Sequence, residues 1–132
     1  MKKSKSSENN DKLLTETELE LMNILWKIGE GSVSDVIAQL PQERDLAYTS
    51  VSTILRILEK KNVLATKKEG RGHIYIPKLK KSDYEAKAVH HVVHRVFDGE
   101  PSALVRQLLG TMKLNEEDIK EIKNLINKKR NS

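Results

Sequence analysis

Apolar residues recur along this chain at two spacings. Over most of its length they return every three or four positions, which is one face of an α-helix. Between Val63 and Ile76 they instead run or alternate over strand-length segments. The helical spacing begins with Leu19, Met22, Ile24, Leu25, Trp26 and Ile28. It stands behind Thr15-Glu16-Thr17-Glu18, where Thr15 and Glu18 fit a capping box. Trp26, the sole tryptophan, reads as a core anchor, since a lone Trp in an apolar helix usually packs. Gly29 to Gly31 ends this helix. Ser32 caps a short second one, Val33 to Leu40, with Val33, Val36, Ile37 and Leu40 inward and Pro41 behind it. A polar turn, Gln42 to Leu46, leads to a third helix from Ala47 to Lys61, whose stripe is Val51, Ile54, Leu55 and Leu58.

Asn62 suits the left-handed residue that closes a helix. Val63–Lys67 and His73–Ile76 are strand candidates around the turn Lys68-Glu69-Gly70-Arg71-Gly72. Helix, short helix, turn, helix and hairpin is the order of a winged helix-turn-helix. Pro77–Lys81 is a basic connector. After it Ser82 caps a helix from Asp83 to about Phe97, broken by Gly99, with Val89, Val92, Val93, Val96 and Phe97 apolar. Pro101 suits a first helical position, and Leu104, Val105, Leu108 and Leu109 follow until Gly110 breaks the pattern. Asn115 caps a last helix with Ile119, Ile122, Leu125 and Ile126 on one face. Its acids lead and its bases trail, which complements the helix dipole.

The fold class expected is α+β, mainly helical: a winged helix-turn-helix domain with a C-terminal helical dimerisation arm. Residues 1–13 read as a disordered arm, with Lys2, Lys3 and Lys5 as minor candidates for DNA contact. Residues 14–81 read as the DNA-binding domain and residues 82–132 as the dimerisation domain. The tail helices are short and amphipathic, and a second copy is the simplest partner for their stripes. The dimer residues expected are Val89, Val92, Val93, Val96, Phe97, Leu104, Val105, Leu108, Ile119, Ile122, Leu125 and Ile126.

The face of the third helix away from its stripe carries Thr49, Ser52, Thr53, Arg56 and Lys60, with no acid among them, and Ser50 at the margin. Ser and Thr are mediocre helix formers and poor choices for an idle surface. Short hydroxyls let a helix approach base edges, and Arg can bond guanine through two nitrogens. These six residues are the candidates for base contact. Lys67, Lys68 and Arg71 of the hairpin are the candidates for phosphate, where contacts position without specifying.

Charge sharpens this reading. The chain of 132 residues carries a net +5, but Leu46–Lys81 alone holds nine Lys/Arg against two acids, a net +7. Such a patch attracts a polyanion in a salt-dependent way. Double-stranded DNA fits better than an anionic membrane, because the basic helix lacks the bulky aromatic-flanked face of interfacial helices. Aromatics are only 4% of the chain, so the core is aliphatic and modest. Cysteine is absent, which excludes disulfides and thiolate metal sites. No apolar run reaches the length of a membrane span, no membrane insertion is expected, and the cytoplasm is the expected location.

Catalysis finds no constellation. His90 and His94 share a helix face, but the zinc-protease pattern needs Glu directly after the first His, and His91 stands there. No metal or cofactor is expected, and these histidines read as solvent-facing or as part of a dimer seam. Two further readings fit the fold: a metal- or ligand-responsive winged-helix regulator, and a winged helix used as a protein-interaction module. The basic window favours DNA over the latter.

Glu18-Leu19-Glu20-Leu21-Met22-Asn23-Ile24-Leu25-Trp26 resembles the opening helix of the BlaI/MecI penicillinase repressor family. Thr49-Ser50-Val51-Ser52-Thr53-Ile54-Leu55 with Leu58-Glu59-Lys60-Lys61 resembles its recognition helix, and Gly70-Arg71 with Ile74-Tyr75 its wing. Asp83 to Val105 and Glu116 to Ile122 are similar in pattern to its dimerisation arm and last helix. The resemblance implies a homodimeric repressor that occupies a palindromic operator and blocks transcription. In antibiotic-responsive members it implies a membrane sensor-protease partner and cleavage between Asn and Phe after a Leu-Val pair. The matching run here is Leu104-Val105-Arg106-Gln107-Leu108, so the corresponding bond is Gln107–Leu108. Copper-responsive relatives carry a cysteine-rich tail, which this chain lacks.

Overall fold

The computed structural model describes residues 13–132. Apart from Leu13, the N-terminal arm with Lys2, Lys3 and Lys5 lies outside the described residues. The chain divides into two units, one ending at Ala88 and the other running from Val89 to Ser132.

The first unit holds α1 (Glu16–Ile28), α2 (Val33–Gln39), α3 (Tyr48–Lys60), β1 (Leu64–Glu69) and β2 (Gly72–Pro77). Leu21, Met22 and Leu25 of α1 meet Val33 and Val36 of α2 and Val51, Leu55 and Leu58 of α3, and the hairpin closes this core with Leu64 and Tyr75. Each fully buried Leu is worth about 1.5–3 kcal/mol relative to exposure, so three helices and one hairpin suffice to hold α3 in place. The winged helix-turn-helix expected from the apolar spacing is therefore present.

The helix starts follow the sequence closely. Thr15 Oγ1 accepts the Glu18 N–H at 3.1 Å while Glu18 Oε1 accepts the Thr15 N–H at 2.9 Å. Ser32 and Asp35 repeat this reciprocal box at 3.1 and 3.0 Å. Gly29 ends α1 with φ 94°, its N–H donating to Leu25 O at 2.7 Å. Gly31 then pairs with Tyr75 through two backbone hydrogen bonds of 3.0 and 2.8 Å. A Cβ on Gly31 would stand 3.0 Å from both Asp35 Cβ and Ile28 Cδ1, so any side chain here would have to push those two aside. Asn62 ends the α3 turn at φ 67°, as expected.

The hairpin is tighter than the five-residue turn read from the sequence. Its register runs from Leu64↔Pro77 to Glu69↔Gly72, which leaves only Gly70 and Arg71 in the turn. Gly70 takes φ 61°, the left-handed first turn position that suits a two-residue hairpin. Lys68 and Glu69 are consequently strand residues.

Ser82 does not cap the next helix, α4 (Lys81–Val96). The Tyr84 N–H donates to Lys80 O at 3.1 Å, so the helix starts before Ser82. Packing sets this start. Tyr84 is buried, its ring lies 6.0 Å from that of Trp26, and its hydroxyl accepts the Leu14 N–H at 3.1 Å. Trp26 also donates its indole N–H to Leu79 O at 2.8 Å, which ties the connector to α1.

The second unit contains the end of α4, then α5 (Pro101–Thr111) and α6 (Glu116–Arg130). Asp98 at φ 54° and Gly99 at φ 79° turn the chain, and Val93 O accepts the N–H groups of Phe97 and Gly99 at 3.1 and 2.8 Å. α5 ends at Thr111, one residue beyond the Gly110 at which the pattern stops. Thr111 Oγ1 donates to Gln107 O at 2.6 Å across that last turn. Asn115 and Asp118 close a third reciprocal cap at 2.7 and 3.2 Å.

Candidate nucleic-acid interface

With Val51, Leu55 and Leu58 buried, α3 leaves Thr49, Ser50, Thr53, Arg56 and Lys60 exposed. Ser52 is half-buried. It lies on the same side of α3 as Glu59, which faces β1. Ala47 caps α3 without a side-chain acceptor. The first N–H groups of the helix thus have no side-chain partner from the cap, at the positive end of the helix dipole. Tyr48, 57% exposed, stands in the first turn beside them. It is not among the base-contact candidates, although an aromatic residue off the apolar stripe is a readable signal.

The hairpin is fastened to this helix. Thr66 Oγ1 donates to Glu59 Oε2 at 2.9 Å, and Thr66 pairs with Tyr75 across the strands. The Tyr75 hydroxyl is pushed above its ordinary pKa by burial first and then by the Glu59 carboxylate, with Arg56 beside it acting in the opposite direction. Arg56 thus lies near the hairpin's Tyr75 while its own side chain stays exposed.

Lys68 and Arg71 are exposed and make no ion pair among the described residues. Lys67 differs. Its Nζ lies 3.3 Å from Glu30 Oε2, with both side chains about half exposed, a geometry of small net stabilisation. Lys61 is held more firmly, 2.8 Å from the Glu18 carboxylate, which is itself buried. Burial alone would raise the Glu18 pKa, but the Lys61 ammonium and the Thr15 hydrogen bonds outweigh it and hold the group below the ordinary carboxylate value. The fold thus brings two acids from outside the basic window against two of its lysines. Linear charge counting missed this, because Glu18 and Glu30 lie far from Lys61 and Lys67 in the chain.

In the second unit Val93 is buried, while Val92, Phe97, Leu104 and Ile122 are half-buried. Val89, Val96, Val105, Leu108, Ile119, Leu125 and Ile126 are exposed, as is Met112 at 58%. Met112, which closes α5, is outside the expected dimer set because it follows the Gly110 at which the apolar pattern stops. Leu108, Met112, Leu114, Ile122 and Leu125 line one open apolar groove between α5 and α6. Gln107 and Leu108 are both exposed and lie inside α5. No group of three or more potential metal-ligating side chains occurs among the described residues. None of their helices is long and apolar enough to cross a membrane.

The family described as penicillinase repressor matches residues 14–128. The penicillinase repressor of Bacillus licheniformis is 29% identical over 118 residues, covering 89% of this chain and 92% of that protein. The methicillin resistance regulatory protein MecI of Mammaliicoccus sciuri is 27% identical over 116 residues, covering 88% and 94%. Among solved structures, the DNA-binding domain of the repressor BlaI matches 54% of this chain and 87% of its own, at 34% identity and a TM-score of 0.49.

Proposed function

The chain belongs to the penicillinase repressor family of DNA-binding transcriptional repressors, which are not enzymes, and we propose that it represses as a homodimer spanning a palindromic operator. In this reading α3 lies in the major groove. Thr49, Ser52, Thr53 and Arg56 read base edges, with Ser50 and Lys60 at the margin. Lys67, Lys68 and Arg71 grip phosphate beside them. The observation that carries the reading is the acid-free exposed face of α3, held beside a basic hairpin by the Glu59–Thr66 hydrogen bond.

Dimerisation is supported by the unpartnered side chains of residues 89–132. Val96 is 66% exposed and Leu125 56%, and a second copy would bury both. Two linked winged domains bind far more tightly than one, because the second contact becomes intramolecular. Occupancy of the operator then blocks transcription.

Release by a membrane sensor-protease cutting Gln107–Leu108 completes the proposal. Proteases take extended segments, whereas this bond lies in a helix whose turn is closed by Thr111. Cleavage therefore requires α5 to unwind locally.

Footprinting the purified protein on the DNA upstream of its own gene tests the core of this reading. Two protected half-sites should appear, about 34 Å or a multiple of it apart. A lone unsymmetrical footprint would refute the dimeric arrangement, and no protection at low salt would refute operator binding.

A further inference from the structure

His90 and His94 stand one turn apart on α4, both exposed. Their rings are nearly parallel, with centroids 6.3 Å apart and an interplanar angle of 16°. Neither ring makes a side-chain hydrogen bond in the described structure that would have to be broken first. Two imidazoles at this spacing on one helix face are a chelating pair for a transition metal.

The spacing is within reach of a chelate once the side chains rotate. A metal–nitrogen bond of about 2.0–2.1 Å puts the ion about 3.2 Å from each ring centre, so two rings on neighbouring corners of one ion stand about 4.5–5.2 Å apart. The observed 6.3 Å is about 1–2 Å wider. Side-chain rotation of two exposed residues is enough to bend the nitrogens towards one ion.

We propose that His90 and His94 form a two-histidine site for a divalent transition metal, with Cu²⁺ preferred and solvent filling the remaining positions. Imidazole suits copper, nickel and zinc, and affinity rises towards copper among them. The pair is complete within one chain. It lacks a third protein ligand, so the ion is exchangeable rather than structural. His91 lies about 100° further round the helix from His90, and His73 lies on β2, so neither can join the pair. Binding staples one turn of α4 and so stabilises the folded chain by mass action.

The test uses the full-length protein without an affinity tag. Cu²⁺ is titrated calorimetrically at neutral pH, and thermal unfolding is recorded with and without the ion. The expected result is one ion per chain, a rise in Tm on adding Cu²⁺, and nitrogen hyperfine structure from two imidazoles in the electron paramagnetic resonance spectrum. His90→Ala and His94→Ala should each weaken binding at least about tenfold, on the scale of lost metal contacts, and abolish the Tm shift. His91→Ala and His73→Ala should leave both unchanged. All four positions are surface or half-buried, and circular dichroism checks that each variant folds. Binding as tight in the His90→Ala/His94→Ala double variant as in the parent would overturn the proposal, as would loss of binding with His91→Ala or His73→Ala alone.

Discussion

The Thr66 hydroxyl donates to the Glu59 carboxylate at 2.9 Å, and this bond joins the hairpin to the end of α3 that carries Arg56 and Lys60. A hydrogen bond to a charged group contributes about 1.5–3 kcal/mol. Thr66→Val keeps the shape of the side chain and removes the donor. It should lower stability by about 1.5 kcal/mol in urea unfolding and weaken operator binding by loosening the wing. An unchanged unfolding midpoint would show that the bond does not matter to the fold.

Arg56 and Lys68 should separate specificity from affinity. Arg56→Ala should cost about 1–3 kcal/mol on the operator and relax preference at one base position, whereas Lys68→Ala should weaken all duplexes about equally. Competition binding with operator and random DNA distinguishes them. Full retention of sequence preference by Arg56→Ala would remove that residue from the readout.

In the proposed complex Glu30 would compete with phosphate for Lys67, whose ammonium it holds at 3.3 Å. Glu30→Gln releases the ammonium, so non-specific DNA binding should strengthen and the slope of log affinity against log salt should steepen by roughly one phosphate contact, about 0.9. A salt slope identical to that of the parent would mean that Lys67 already reaches DNA, or never does.

Glu18 makes the fold sensitive to acid. Its folded pKa lies below the ordinary value, so its contribution is present above the ordinary carboxylate range and is lost as pH falls through the folded pKa. Glu18→Gln should therefore reduce stability at neutral pH while flattening the decline of Tm below about pH 4.5, the unshifted range. Parallel Tm–pH curves for the two proteins would contradict the linkage.

Leu125→Asp and Val96→Asp place a charge on surfaces assigned to the second copy. Both positions are more than half exposed in one chain. Secondary structure should survive, while sedimentation should show monomers and DNA affinity should fall by about a hundredfold or more, the lower end of the avidity gain. Dimers that persist in both variants would move the interface elsewhere.

Much of this molecule could be read from local chemistry. The reciprocal caps at Thr15, Ser32 and Asn115 need only residues three apart, and the α3 stripe needs only the helical period. The readings that failed depended on distant groups. Ser82 is not the helix start because Tyr84 packs against Trp26 and the helix already begins at Lys81. The five-residue turn shrank because the strands pair as far as Glu69 and Gly72. At the candidate interface, exposure of Thr49, Thr53, Arg56 and Lys60 followed from periodicity. The pairing of Lys61 with Glu18 and of Lys67 with Glu30 did not, since spatial proximity across 43 or 37 positions leaves no trace in linear spacing.

The single indole of this chain is bonded to the carbonyl of Leu79, in the segment that leads out of the wing. Its emission is consequently a built-in optical gauge. When that segment peels away, the ring exchanges a peptide oxygen for bulk water and its fluorescence shifts to the red, with no dye attached and no competing tryptophan to mask the signal.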